Sequence, residues 1–398
     1  VTLSAGESAW FVLAHRDAEP VSPAAYERTL NRTLRRWREW VAHSPLLSDA
    51  PFRETMARSA LVLRLLANRE SGAIAAAPTT SLPEDVGGVR NWDYRFHWVR
   101  DASIVSRALA RLGYTEEAHA NVQWWLDHLS EHGPEREDML FRPLYDLTDV
   151  DGTVEVELDH FTGYRNSRPV RIGNGARDQR QLDIYGELLL SVEEIVERGG
   201  SLTPDEWAAI YDVVEHVCET WTEPDYGIWE VRSTPEHFVH SRVMCWATVD
   251  RGISLAEHVG VAPPDSWVQT RTEIKERVLE EGYNEEINSF VRSFEAEEAL
   301  DAACLRIPQV GFLPADDERV LGTIDAIHDR LVVDDGLVQR YEGPDGLPGE
   351  DHAFVLCSFW MVDALARAQR TEEAHEMLTS ILDRASSLGL FAEEIDPM

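Results

Sequence analysis

The chain has 398 residues, 43% of them hydrophobic and 9% aromatic, which allows a sizeable core and argues against disorder. Its formal net charge is −35, and its bases are almost all arginine, with Lys275 the sole lysine. That balance argues against nucleic acid or an anionic membrane surface as partner, and it predicts a solvated acidic surface from a salt-rich habitat.

Residues 1–15 alternate weakly around Trp10, Phe11, Val12 and Leu13, which reads as one strand, followed by a Pro-containing linker over 16–23. Ser22-Pro23 opens a helix to about 44, with Leu30, Leu34, Trp37 and Val41 at helical spacing. A second helix over 52–68 carries Leu61, Leu63, Leu65 and Leu66 around much of its circumference, which predicts deep burial. A long aperiodic loop, 69–96, delivers the chain to Gly87–Asp101, a stretch that packs four aromatics, three arginines and two aspartates before an apolar helix.

Further helices are predicted at 100–112, 115–131, 178–198, 203–221, 239–259, 264–281, 296–304, 316–332, 350–369 and 371–388. Short turns alternate with the longer loops 132–177, 222–238, 282–295, 333–349 and 389–398. This is the pattern of a toroid of helical hairpins whose long loops build a site at one end. Cys218, Cys245, Cys304 and Cys357 are scattered without C-x-x-C spacing and read as free buried thiols. With no apolar run of eighteen residues and no secretory signal, the expectation is a cytoplasmic protein.

The Gly87–Asp101 mixture of flat rings with Asp and Arg forks suits a sugar, and its structural alternative is a buried salt-bridge knot. Two loop glutamates stand in apolar settings. Glu230 follows Ile228 and Trp229, and Glu393 follows Leu390, Phe391 and Ala392. A carboxyl beside aromatic surface is desolvated and becomes a candidate proton donor, while a second, wetter carboxylate can take a proton from water. Such a pair is what hydrolysis of a glycosidic bond needs. No G-x-S-x-G elbow, H-E-x-x-H or phosphate-binding glycine loop competes, and His97, His160, His237, His240 and His352 lack metal spacing, so no metal or cofactor is expected.

Several motifs together resemble glycoside hydrolase family 15, the glucoamylase and trehalase family, in its bacterial and archaeal branch. They are Ala76–Glu84, Arg90–Asp101, Gly163–Asn174, Gly227–Glu230, His240–Trp246, Cys357–Trp360 and Ala392–Pro397. The resemblance implies an all-α (α/α)6 barrel, which agrees with the hairpin pattern, and hydrolysis with inversion that releases β-glucose from an α-glucoside. It implies Glu230 as general acid and Glu393 as general base, with Glu394 the adjacent rival. It implies Arg100 and Asp101 gripping the non-reducing glucose, with Tyr94, Trp98 and Trp229 as walls and Arg340 as a further contact.

By the same resemblance, 1–20 is the last strand of a mostly absent N-terminal β-sandwich plus linker, 21–48 a linker helix, and 49–398 the barrel, short of its last helix. Val231 departs from fungal glucoamylases, which tend to carry an acidic residue there. The expected substrate is a malto-oligosaccharide; trehalose is the near alternative. A silent sugar-binding relative or a phosphorylase on the same barrel is disfavoured by the presence of both Glu230 and Glu393.

Overall fold

The protein is represented by a computed structural model that describes residues 1–13, 22–47, 50–136, 139–147, 152–334, 336–349 and 351–397. Among these residues the chain forms eleven α-helices: α1 (Pro23–His43), α2 (Arg53–Leu66), α3 (Val99–Arg111), α4 (Thr115–His132), α5 (Asp183–Glu197), α6 (Pro204–Thr220), α7 (Val239–His258), α8 (Asp265–Glu281), α9 (Glu318–Leu331), α10 (Val355–Arg367) and α11 (Thr371–Asp383). From α3 onward they come as antiparallel neighbours. Helices α3, α5 and α7 pack side by side as an inner layer, and α4, α6 and α8 lie outside them. A single turn, Ala302–Arg306, continues the inner layer between α7 and α10, with α9 and α11 outside. This is the alternation of an (α/α)6 barrel.

Local chemistry sets the ends. Pro23 begins α1 where its missing N–H costs nothing. Thr203 and Glu206 form a reciprocal capping box at the start of α6. Helix α5 shows why the inner layer is stable: from Asp183 to Val196 every residue but Glu193 is buried, because α3 and α7 flank it. Each of Leu188, Leu189 and Leu190 then contributes about 1.5–3 kcal/mol of burial. A charge is also buried there: the Glu187 carboxylate pairs with Arg306 and, at 3.4 Å, with Arg107, which ties α5 to α3 and to the 302–306 turn.

Three expectations are corrected. Residues 1–13 form no strand and are exposed throughout; no partner strand among the described residues offers a ladder, and Trp10 instead stacks on Tyr26 of α1 at 5.7 Å. Most of the linker expected at 16–23 lies outside the described residues. Helix α2 is not deeply buried. Ala60 is its only buried residue and Leu65 is 68% exposed, because α2 meets α1 and α3 on one side only. The helix expected at 296–304 is largely replaced by the 302–306 turn. There the N–H groups of Leu300 and Ala302 are taken by the Glu342 carboxylate and the Arg340 carbonyl instead of by helical carbonyls.

The long loops gather at one end, held by two-residue antiparallel pairings such as His97–Trp98 with Leu144–Tyr145, and Glu394–Ile395 with Phe354–Ala353. No helix among the described residues is long and apolar enough to cross a membrane.

The inner layer leaves no room at Gly186, where an added Cβ would lie 2.6 Å from the Met244 carbonyl oxygen of α7. Gly186→Ala is expected to push α5 from α7 and destabilise the fold by about 1–3 kcal/mol. A lowered urea midpoint with an unchanged m-value would report it.

Candidate active site

The first turn of α3 carries Arg100 and Asp101, and the first turn of α10 carries Val355 and Leu356; all four line one cavity of about 520 Å³ at the loop end. Tyr94 and Trp98 reach it from the approach to α3, and Trp229 and Glu230 from the α6–α7 loop. Arg340 comes from the α9–α10 loop, and Glu393 from the segment after α11. All eight residues singled out in the sequence therefore face a common space. The remaining wall is apolar, with Ile104, Ile228, Phe359 and Phe391 among its members.

Glu230 is fixed by three donors to one oxygen. Trp98 Nε1 at 2.8 Å, Arg100 Nη2 at 2.9 Å and Gln181 Nε2 at 3.1 Å all donate to its Oε1. A proton for a departing group would have to sit on Oε2, the oxygen these donors leave free. The backbone at Glu230 has φ of +55°, a left-handed conformation that L side chains rarely adopt. Strain of this kind persists when the surroundings over-determine it.

Arg100 is the hub. Its Nη1 donates to Gln181 Oε1 at 2.8 Å and Asp183 Oδ2 at 3.1 Å, and Asp101 lies 3.8 Å away with its side chain half open to the cavity. A cation at a helix N-terminus is disfavoured by the helix dipole, and the carboxylates of Asp183 and Glu230 offset this. Burial pushes the Asp183 carboxyl up to about 6, against the pull of Arg100.

Trp229 is held by its indole N–H, which donates to both oxygens of Asp301 at 2.9 and 3.0 Å. Burial pushes that carboxyl up to about 6. Tyr94 meets Trp98 edge-on at 5.8 Å.

Glu393 stands open to the cavity rather than sealed in protein. The surrounding walls still deprive its carboxyl of bulk water, and with the nearby Glu84 charge they push it up to about 7. Water in the cavity moderates that shift.

Behind the site, Glu84, Asp351 and Glu394 bring carboxylate oxygens within 4.8 Å of one another. The Arg340 guanidinium sits among them, bridging to Asp351, to Glu394 at 2.9 Å and to Glu84 at 3.5 Å. A cation is thus already supplied by the chain. Three carboxylates around one guanidinium cannot all stay ionised, and burial drives the Glu394 carboxyl upward. Glu394 therefore makes the poorer base of the adjacent pair: its side chain is 7% exposed and turned onto Arg340, whereas Glu393 lines the cavity.

The salt-bridge knot and the cavity lining occupy one stretch. Arg90 pairs with Asp345 at 2.7 Å, and Asp93 holds both Arg95 and the Gly173 N–H, while Tyr94, Trp98, Arg100 and Asp101 face the cavity. Gln181, Asp183, Glu84, Asp301 and Asp351 were missed. The only signal for the first two was a polar run, Arg177–Asp183, placed directly before an apolar helix. The histidines are structural where their contacts are clear: His97 is buried against Trp125 at 4.2 Å, and burial drives its imidazole down to about 3. All four cysteines are free thiols, with Cys218 half-buried and the others buried.

A ring of helical hairpins, with two cavity glutamates amid aromatic walls and an Arg–Asp fork, has the layout of a glycan-cleaving enzyme. The family model for "Glycosyl hydrolases family 15" matches residues 50–394, and the chain belongs to that family. Similar relatives include the trehalase of Thermoplasma volcanium, 40% identical over 92% of this chain and 58% of its own length. The trehalase of Mycolicibacterium smegmatis is likewise 40% identical, over 94% of this chain and 56% of its own. The chain thus spans little more than half of these relatives. Among solved structures, a bacterial glucoamylase complexed with acarbose shares the fold at a TM-score of 0.69 and 13% identity, covering 94% of this chain and 55% of that one.

The Glu394 cluster has a consequence for stability. Its folded-state pKa is raised, so the stability it contributes is full below the ordinary carboxylate range and is lost as pH rises through the folded value. Glu394→Gln keeps the neutral shape and is expected to remove this loss. Unfolding curves of the two proteins should coincide at about pH 4 and below and separate by about 1 kcal/mol or more in favour of the variant at alkaline pH.

Proposed function

We propose that the chain is the catalytic part of an inverting α-glucosidase acting on α,α-trehalose. The observation that carries the reading is the single cavity in which Glu230 and Glu393 stand with the Arg100–Asp101 fork and the rings of Tyr94, Trp98 and Trp229. The identity to proteins named trehalases supports trehalose over the malto-oligosaccharide placed first from the sequence. In this reading Glu230 gives a proton from Oε2 to the glycosidic oxygen, and Glu393 takes one from the attacking water. The new bond forms on the face opposite the departing sugar, so β-glucose is released. Arg100 and Asp101 hold the hydroxyls of the glucose being attacked, and the rings flank its apolar faces. Hydrolysis of malto-oligosaccharides is the second reading and rests on the motifs shared with the wider family.

The high net charge and the four free thiols support a salt-rich, cytoplasmic setting as a further part of the proposal. Activity and thermal midpoint that rise with salt would bear on the first point.

Incubation with trehalose, maltose and maltoheptaose, followed by NMR of the glucose anomer, tests the substrate. Cleavage of trehalose alone is the expected result, with β-glucose from the attacked ring and α-glucose from the departing ring in equal initial amounts; α-glucose as the sole initial anomer from trehalose would sink the two-carboxylate inversion. The roles separate with α-glucosyl fluoride, whose leaving group needs no proton. Glu230→Gln should lose about 10²–10⁴-fold on trehalose and far less on the fluoride, whereas Glu393→Gln should lose both. Because Glu393 acts as the carboxylate and burial raises its pKa, with cavity water moderating the shift, kcat/KM should fall as pH drops at a value between the ordinary carboxylate range and neutrality rather than near 4.

A further inference from the structure

A second, smaller cavity of about 50 Å³ adjoins the first. Tyr94, Trp229, Glu230 and Arg340 line both. Glu393, Arg100 and Asp101 line only the larger, while Asn174, Arg232 and Tyr341 line only the smaller. In an inverting displacement, water enters from the side of the base and the leaving group departs beside the acid. The space that touches the acid and not the base is therefore the leaving-group side.

The most distinctive group there is Arg232. Its guanidinium lies over the Trp92 ring at 5.0 Å, and its Nη2 donates to Glu155 at 3.1 Å and to Asn174 at 3.4 Å. Nε and Nη1 make no hydrogen bond with the described residues, although the side chain is only 25% exposed. Its backbone is equally constrained. The Arg232 N–H donates to the Asp345 carbonyl at 2.7 Å, and a Cβ at Gly346 would lie 2.5 Å from the Arg232 carbonyl carbon. A Cβ at Gly175 would lie 2.3 Å from Nη1, so a glycine there makes room for the guanidinium. The result is a rigid cationic fork with unused donors, two residues beyond the acid and on the departing side.

We propose that Arg232 is a specificity-determining residue that recognises hydroxyls of the leaving-group sugar. At about 10–15 Å³ per water-sized site, 50 Å³ takes a few hydroxyl groups and not another ring. The small cavity thus holds the edge of a second sugar and fits a disaccharide as substrate class. This inference rests on the assignment of Glu230 as the acid.

The test compares Arg232→Ala and the gentler Arg232→Gln with the parent chain on trehalose and on α-glucosyl fluoride, which has no second sugar. Circular dichroism and the thermal midpoint establish folding. Expected is a loss of about tenfold or more in kcat/KM on trehalose, with fluoride release within about twofold of the parent for at least one folded variant. An equal loss on both substrates, or none on trehalose, would overturn the role of Arg232. If Glu230→Gln is as active as the parent on trehalose, the underlying reading fails instead, whatever the Arg232 variants do.

Discussion

The site depends on one buried guanidinium. Arg100 enters the barrel at the first turn of α3, where helix geometry alone disfavours a positive charge. It is held because Asp183 opens the neighbouring inner helix and Glu230 arrives from the α6–α7 loop. Three segments far apart in sequence are thereby fixed to one planar fork. A lysine could neutralise the charge but could not hold Gln181, Asp183 and Glu230 in separate directions with the same rigidity. The same device recurs where Arg306 and Arg107 meet Glu187, and where Arg340 meets Asp351, Glu84 and Glu394. A chain with one lysine and a large acidic excess has built its interior from branched cations.

The helical hairpins were legible because their signal is local: 3.6-residue periodicity, short Gly-containing turns and capping residues such as Thr203 and Glu206. Seven of the eight cavity residues were legible because they lie in motifs whose residue types are costly to bury without a purpose, while Arg340 lies outside those motifs and came from the family resemblance. What could not be read depends on partners. Leu61–Leu66 looks like a core helix until the neighbours of α2 are known, and Leu65 then proves exposed. Residues 296–304 are helical by composition, but Glu342 and Arg340, more than thirty residues away, claim their backbone N–H groups. Asp301 and Asp351 are unremarkable acidic residues in the sequence, and Glu84 ends a motif without a role of its own; the three become informative through Arg340 and Trp229.

The stretch from Gly87 to Asp101 shows why choosing between structure and function can be the wrong question. Arg90, Asp93 and Arg95 lock loops together, and the residues between and beyond them are thereby presented to the cavity. Holding cavity side chains in fixed positions requires such a lock.

Glu230 holds its left-handed backbone at φ of +55°, in a position where glycine would be at ease. Selection for heat resistance alone would therefore drive this position toward glycine or asparagine, and every such gain would erase the carboxyl group. A survey of variants chosen purely for endurance would thus meet at position 230 a gain in ruggedness that removes a cavity carboxyl group, whereas the same gain at Phe52 or Gln369, which share the left-handed backbone, would leave the cavity lining intact.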